Sequence, residues 1–536
     1  MKKTYTFLAF LLPFLAFLPP LGAQEEIPEA EAAQSSEQSR FDSAMQRELV
    51  ILDSPHEYDF NPYTANFSNE AQLFTGLYEG LFSYDPYSLE PVTALAESHR
   101  ISRDKKIWTF TLRKNARYSN GDLITAESMR QSWLALLAPK TAAPFASLID
   151  CISGAAAYRT GTGRAEDVGI SVRDTWTLVV RLDTPTEHLP RILCHHAFAA
   201  VHPTPGVYSG AFTLDQTDDT RIRLVKNFRY RDQEKVALPS VLIHLSDDRD
   251  ENAYLVNTGQ ANWSTSVINT DKLLDLETVK IFGEFATEYL FFKTTRSPWD
   301  KSAFRMALLT AVPWESLRSK SLVPAKTFIY PLMGYTSPQG FSETDEYEAR
   351  LMLDQAKKDN GMQTDDPVTM VIAISDTEYM KGAAEILSGA WEKIGVTVRV
   401  EVTPANRYLD SIASWEADLF SYIWIGDFAD PVAFLELFRG ASSLNPSGWR
   451  SADFDRLMSE AASVADTKRR YQILAEAEAL LLDSGEVLPI SHPVSLNVID
   501  LNALGGWYRN ALDIHPLKSI YFTGKDGSLP NLVRKD

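Results

Sequence analysis

Residues 368–402 constrain the fold more than any other stretch. Val368-Thr369-Met370-Val371-Ile372-Ala373-Ile374 is an almost unbroken apolar run of strand length, as expected of a strand buried on both faces. Tyr379 to Lys393 carries Ile386, Leu387 and Trp391 at helical core spacing, and Ile394-Gly395 ends it with the residue best suited to the left-handed position after a helix. Val396 to Val402 then alternates with period two. Two strands joined through a helix are best placed parallel with a right-handed crossover. Ala417 to Trp424 adds a strand and Pro431 to Phe438 a helix, so this part of the chain is an α/β domain.

A second informative stretch runs from Trp108 to Trp133. Ile107, Thr109 and Thr111 alternate with Trp108, Phe110 and Leu112, the pattern of a half-buried strand. Asn120-Gly121 marks a tight turn, and Thr125 stands where a hydroxyl can cap the helix that follows. Asn69 and Gln72 imitate a capping box for a helix to Tyr84, with Leu73, Leu77 and Leu81 on one face. Further strands are expected at 170–172, 176–182 and 221–225, and helices at 452–465 and 468–482. No repeat of fixed period is visible.

The first 23 residues have the form of an export signal: Lys2-Lys3, an apolar run from Phe7 to Leu18, and Leu21-Gly22-Ala23 before a cut at Gln24. No cysteine lies nearby to carry a lipid. Residues 24–44 form an acidic, low-complexity lead-in without enough apolar surface to order itself. No later run approaches the ~20 apolar residues of a spanning helix, so a soluble periplasmic protein is expected. The remaining length calls for two or three domains. A formal net charge of −19 argues against nucleic acid or an anionic membrane as partner. The two cysteines, Cys151 and Cys194, can form a disulfide or pack as free thiols; both readings stay open.

Several short motifs then align in order along the chain: Asp59-Phe60-Asn61-Pro62, Gly80-Leu81-Phe82, Leu95-Ala96-Glu97-Ser98, the Trp108–Trp133 stretch, Pro144-Phe145-Ala146-Ser147, Ser209-Gly210-Ala211-Phe212, Trp424-Ile425-Gly426-Asp427 with Asp430-Pro431, Asp453-Phe454-Asp455-Arg456-Leu457 and Gly505-Gly506-Trp507-Tyr508. In this wording and order the chain resembles the periplasmic oligopeptide-binding proteins, the peptide/nickel class of extracellular solute-binding proteins that feed ABC importers.

The resemblance implies a two-lobed, type II-like binding-protein fold with an extra subdomain. Lobe I would be residues 45–285 plus 495–536, with the subdomain at about 79–180, and lobe II residues 286–494. It implies a peptide or peptide-like ligand between the lobes, delivered to a membrane ABC permease by a monomer that needs no cofactor or metal. An extended peptide can be held by main-chain hydrogen bonds along a strand edge, its side chains entering hydrated pockets. Its buried ammonium requires a counter-charge.

At matching positions Asp427 is the ammonium partner, in the loop formed with Trp424 and Gly426. Asp430, before Pro431, takes the helix-capping role and leaves Asp427 free. Asn66, Phe67 and Ser68 match the lobe I segment that meets the ligand. Phe145 stands where a tyrosine is frequent. The chain departs from the pattern elsewhere. Ile412 and Ser421 stand where carboxylate-binding arginines occur, Ala405 replaces a pocket tryptophan, and Ser491-His492-Pro493 replaces a tyrosine-rich crossover. These departures leave room for other ligands on the same fold: a metal chelate, haem or a small amine. A reading of another class is a secreted hydrolase, but the chain has no Gly-x-Ser-x-Gly, His-Glu-x-x-His or phosphate-loop motif. The loose cluster of His195, His196 and His202 is read as ordinary histidines rather than a metal site.

Overall fold

A computed structural model describes residues 47–524 except 66, 266, 405–407, 409–411, 413 and 427. The expected signal and lead-in therefore lie outside the described residues, as do Asn66, Ala405 and Asp427. Among the described residues no helix is long and apolar enough to cross a membrane.

Two large sheets organise the chain. The first has seven strands in the order Val279–Gly283, Val494–Ile499, Trp263–Thr265, Leu49–Asp53, Ser240–Leu245, Arg221–Lys226 and Phe212–Asp218. It draws on both ends of the chain, and its apolar side packs around Leu73, Phe74, Phe212, Trp263 and Trp507. The second has five strands in the order Val396–Thr403, Val368–Ser375, Leu419–Ile425, Ala286–Phe292 and Val487–Ser491. A separate four-stranded sheet, Ala96–Ile101, Ile107–Leu112, Thr177–Arg181 and Ile170–Asp174, packs on the helix Ala126–Leu137.

The chain passes between the large sheets twice, from Gly283 to Ala286 and from Ser491 to Val494. The two crossings lie side by side. The amide of Glu284 donates to the Pro493 carbonyl at 3.2 Å, and the His492 ring nitrogen Nδ1 lies 3.0 Å from the Ala286 carbonyl.

The unit at 368–402 folds as its pattern dictates. Val368–Ser375 and Val396–Thr403 pair in parallel around the helix Glu378–Lys393, and Gly395 has φ +91°. Thr125 caps its helix, its Oγ1 accepting from the Ser128 amide at 3.2 Å. The expected strands at 170–172, 176–182 and 221–225 appear within one or two residues of their bounds, and the late helices are Ala452–Ser463 and Thr467–Asp483.

Three local expectations need correction. The helix near Asn69 is Ser68–Leu77, so Leu81 is buried beyond its end. Its start is held by Glu70, which accepts the amides of Phe67 and Asp59 at 3.0 and 2.7 Å. Gln72 instead pairs with the main chain of His515, at 2.6 and 2.7 Å, because the C-terminal segment packs over this helix. The helix after Asp430 is short, Val432–Leu435 with a 3-10 turn Glu436–Phe438, and Pro431 is its cap residue. Cys151 and Cys194 are free thiols, and burial pushes Cys151 up to about 12, which leaves it unreactive.

Candidate functional site

A cavity of about 1350 Å³, its open mouth included, lies between the two large sheets. Five segments far apart in sequence wall it: the helix Ser68–Leu77 with the chain to Tyr84, the turn at Phe145, the loop around His195, the end of the strand Leu419–Ile425, and the segment 512–518. Phe67, Ser68, Phe145, Trp424 and Gly426, singled out above, all line it. Ser421 does not: it is buried within its strand opposite Leu290. Ile412 is buried as well.

The wall is mostly rings. Phe145 packs against His195 with centroids 4.3 Å apart and the rings tilted by 49°, and lies 6.3 Å from Trp424. Phe74 lies 5.0 Å from His196. Trp424 is fixed by its indole N–H, which donates to the Ala433 carbonyl at 2.7 Å. Burial holds His195 well below its ordinary value, with His196 beside it adding to the effect, and holds His196 itself at about 4. Both rings are neutral at pH 7. With no group of three or more metal-ligating side chains among the described residues, the pair forms part of an aromatic wall.

The charged side chains among the described lining residues are Glu79 and Lys518, and they pair at 2.8 Å. Glu79 also accepts from Arg231 at 2.9 Å and from the Tyr230 hydroxyl. Burial alone would raise the Glu79 carboxyl, but the charges of Lys518 and Arg231 outweigh it and hold it at about 2. Arg231 is also paired with Asp232. This part of the wall is thus electrically closed on itself. Motif reasoning missed the network, whose partners are up to 439 residues apart.

The strand Leu419–Ile425 brings to the cavity an edge that no described strand pairs beyond Phe420. On one side it pairs along its whole length with Ala286–Phe292. On the other, Val368–Ser375 pairs with it only at Leu419 and Phe420. From Ile423 to Ile425 no described strand continues along that edge, and these residues line the cavity. Gly426 follows, its amide bonded to the Phe285 carbonyl at 2.8 Å. A Cβ there would stand 2.5 Å from the Phe285 ring, so the close approach requires glycine.

Asp430 Oδ1 accepts the Val432 amide at 3.0 Å while the carboxylate pairs with Arg470 at 2.6 and 2.8 Å. The turn Pro144–Ile149 and the helix Ala155–Arg159 touch residues 441–443. The Ser147 amide donates to Ser443 Oγ at 3.2 Å, Ser443 Oγ donates to the Pro144 carbonyl at 2.6 Å, and Arg159 donates to the Ala441 carbonyl at 2.7 Å.

A cavity between two sheet-based lobes, linked by paired crossings, is the architecture the motifs imply. Residues 90–445 match the family described as bacterial extracellular solute-binding proteins, family 5 Middle. The chain belongs to this family. Among relatives of this family 5 chain, the Bacillus subtilis dipeptide-binding protein DppE is 28% identical over 429 residues, 75% of this chain and 78% of its own length. The structure of the Escherichia coli murein tripeptide binding protein MppA superimposes with a TM-score of 0.79 at 25% identity, covering 89% of this chain and 98% of that one. The unliganded open form of MppA gives only 0.62 over a similar span.

Proposed function

We propose that this family 5 chain captures a peptide or peptide-like solute between its lobes and hands it to an ABC permease, performing no chemistry itself. The observation that carries this reading is the strand edge at Ile423–Ile425, which lines the cavity, is paired by no described strand and is followed in sequence by Gly426 and Asp427. Such an edge accepts an extended main chain as one more strand, whatever its side chains, and an aspartate at its end answers the charge of an amino terminus. The names of DppE and MppA, a dipeptide-binding and a murein tripeptide binding protein, point to the same ligand class.

In this reading residues 45–285 and 495–536 form lobe I, residues 286–494 form lobe II, and the crossings at 283–286 and 491–494 are the hinges. The protein works as a monomer in the periplasm after loss of residues 1–23. Ligand shifts an open–closed equilibrium toward the closed form that the permease reads.

Native mass spectrometry of the protein purified without unfolding tests the proposal. One peptide per chain, released intact on denaturation, is the expected result. A haem, a metal chelate or a non-peptide amine as the bound species would replace the ligand class, and release of cleaved peptide would replace binding by hydrolysis.

A further inference from the structure

We infer that His188 is an acid-sensitive latch between the lobes: a proton on its ring favours opening, so that the protein holds its ligand at neutral pH and releases it more readily at mildly acid pH. The inference rests on the two-lobe hinge reading above, in which His188 and the residues it meets lie on opposite lobes. His188 stands between the strand Thr177–Arg181 of the four-stranded sheet and the short helix Leu189–Ile192. Its ring stacks on Phe428, with centroids 6.1 Å apart and planes 23° apart. Phe428 is buried and follows the strand Leu419–Ile425 of the five-stranded sheet. A second cavity, about 850 Å³ with its open mouth, lies at this contact and is lined by Lys105 and by residues from 185–191, 429–430 and 462–471. It shares no lining residue with the cavity between the large sheets.

The surroundings of the ring cannot answer a positive charge. The charged groups that face it are Asp430, Arg470, Arg191 and Glu187, with Lys105 and Tyr471 in the same cavity wall. Asp430 is taken by Arg470 at 2.6 and 2.8 Å, Glu187 by Lys105, and Arg191 pairs with Glu90 at 2.8 Å. Both acids are thus committed, and the two arginines oppose a further cation. Burial holds the ring at about 4, Asp430 pulling it up and Arg470 and Arg191 pushing it down. When the contact parts, water reaches the ring and its ordinary value of about 6.5 returns. The value is lower in contact than apart, so the neutral ring favours contact. That contribution is complete above pH 6.5 and is lost as pH falls toward 4.

Small-angle X-ray scattering of the full mature chain at pH 7.5 and 5.5, as purified and again after ligand removal, tests this. His188→Phe keeps a ring on Phe428 and cannot take a proton. The ratio of open to closed chains should rise about tenfold more in the native protein than in this variant, the effect of one proton on a group of ordinary value about 6.5. The buried carboxyls titrate alike in both proteins and cancel. His188→Gln, smaller and equally unable to take a proton, gives the same comparison where Phe disturbs folding. An equal response in native protein and variants would overturn the latch. Expansion accompanied by loss of far-ultraviolet ellipticity would be unfolding rather than opening and would overturn it too. Peptide retained in the native mass spectrum at pH 7.5 keeps the capture reading standing whichever way the scattering falls.

Discussion

At the scale of single residues, two neighbouring aspartates illustrate how tertiary partners divide roles that look alike in sequence. Asp430 is buried and held by Arg470; it is structural. Arg470→Met would leave that carboxylate buried without a counter-charge, at a cost of about 3–5 kcal/mol. A large fall in Tm is expected, with recovery in the Asp430→Asn/Arg470→Met double variant, since the two sites are coupled. Asp427, by contrast, is the proposed ligand anchor. Asp427→Asn should cost about 2–5 kcal/mol of binding to an amine-bearing peptide and leave the unfolding temperature nearly unchanged. Calorimetric affinity equal to that of the native protein would place the anchor elsewhere.

At the scale of elements, strand and helix identity was legible wherever the pattern was local. The alternation at Ile107–Leu112 emerges with every second residue buried, and the strand–helix–strand unit at 368–402 emerges in the expected order and parallel pairing. Asn69 and Gln72 misled because the latter is recruited by His515, 443 residues away, a competitor that no local rule contains. The loop around Ser443 is a similar case, tied to Ser147 and Pro144, 296 and 299 residues away. If these bonds hold the lobes together, Ser443→Ala should speed ligand release about fivefold, the equivalent of about 1 kcal/mol of hydrogen bonding. Stopped-flow displacement of bound peptide measures this, and an unaltered rate would show that the contact does not oppose opening.

At the scale of the whole molecule, the buried titratable groups set a pH dependence. Burial raises Glu284, with Asp513 adding, and raises Glu436, Glu478 and Glu486, to about 8, 7, 7 and 8. Their folded values lie above the ordinary one, so the stability they lend is complete at low pH and is lost as pH rises through 7 to 8. Burial lowers His188 and His196 to about 4; their contribution disappears as pH falls from about 6.5 toward 4 and is constant above. Glu79, held at about 2, is ionised throughout the neutral range. Between pH 6.5 and 8 the raised carboxyls are the groups that act among the described residues, so Tm should fall across that interval. Glu284→Gln, between the two lobes, should flatten the decline, and a Tm that rises over the same interval would show these carboxyls to be ionised already at neutral pH. The sequence by itself settled the order of local elements, because periodicity, capping and turn chemistry act between near neighbours, and the family, because its motifs are short runs of adjacent residues. Only the tertiary structure decided the composition of the cavity wall, the neutralisation of Glu79 by Lys518 and the open edge beyond Phe420, because each depends on where chain segments hundreds of residues apart come to rest.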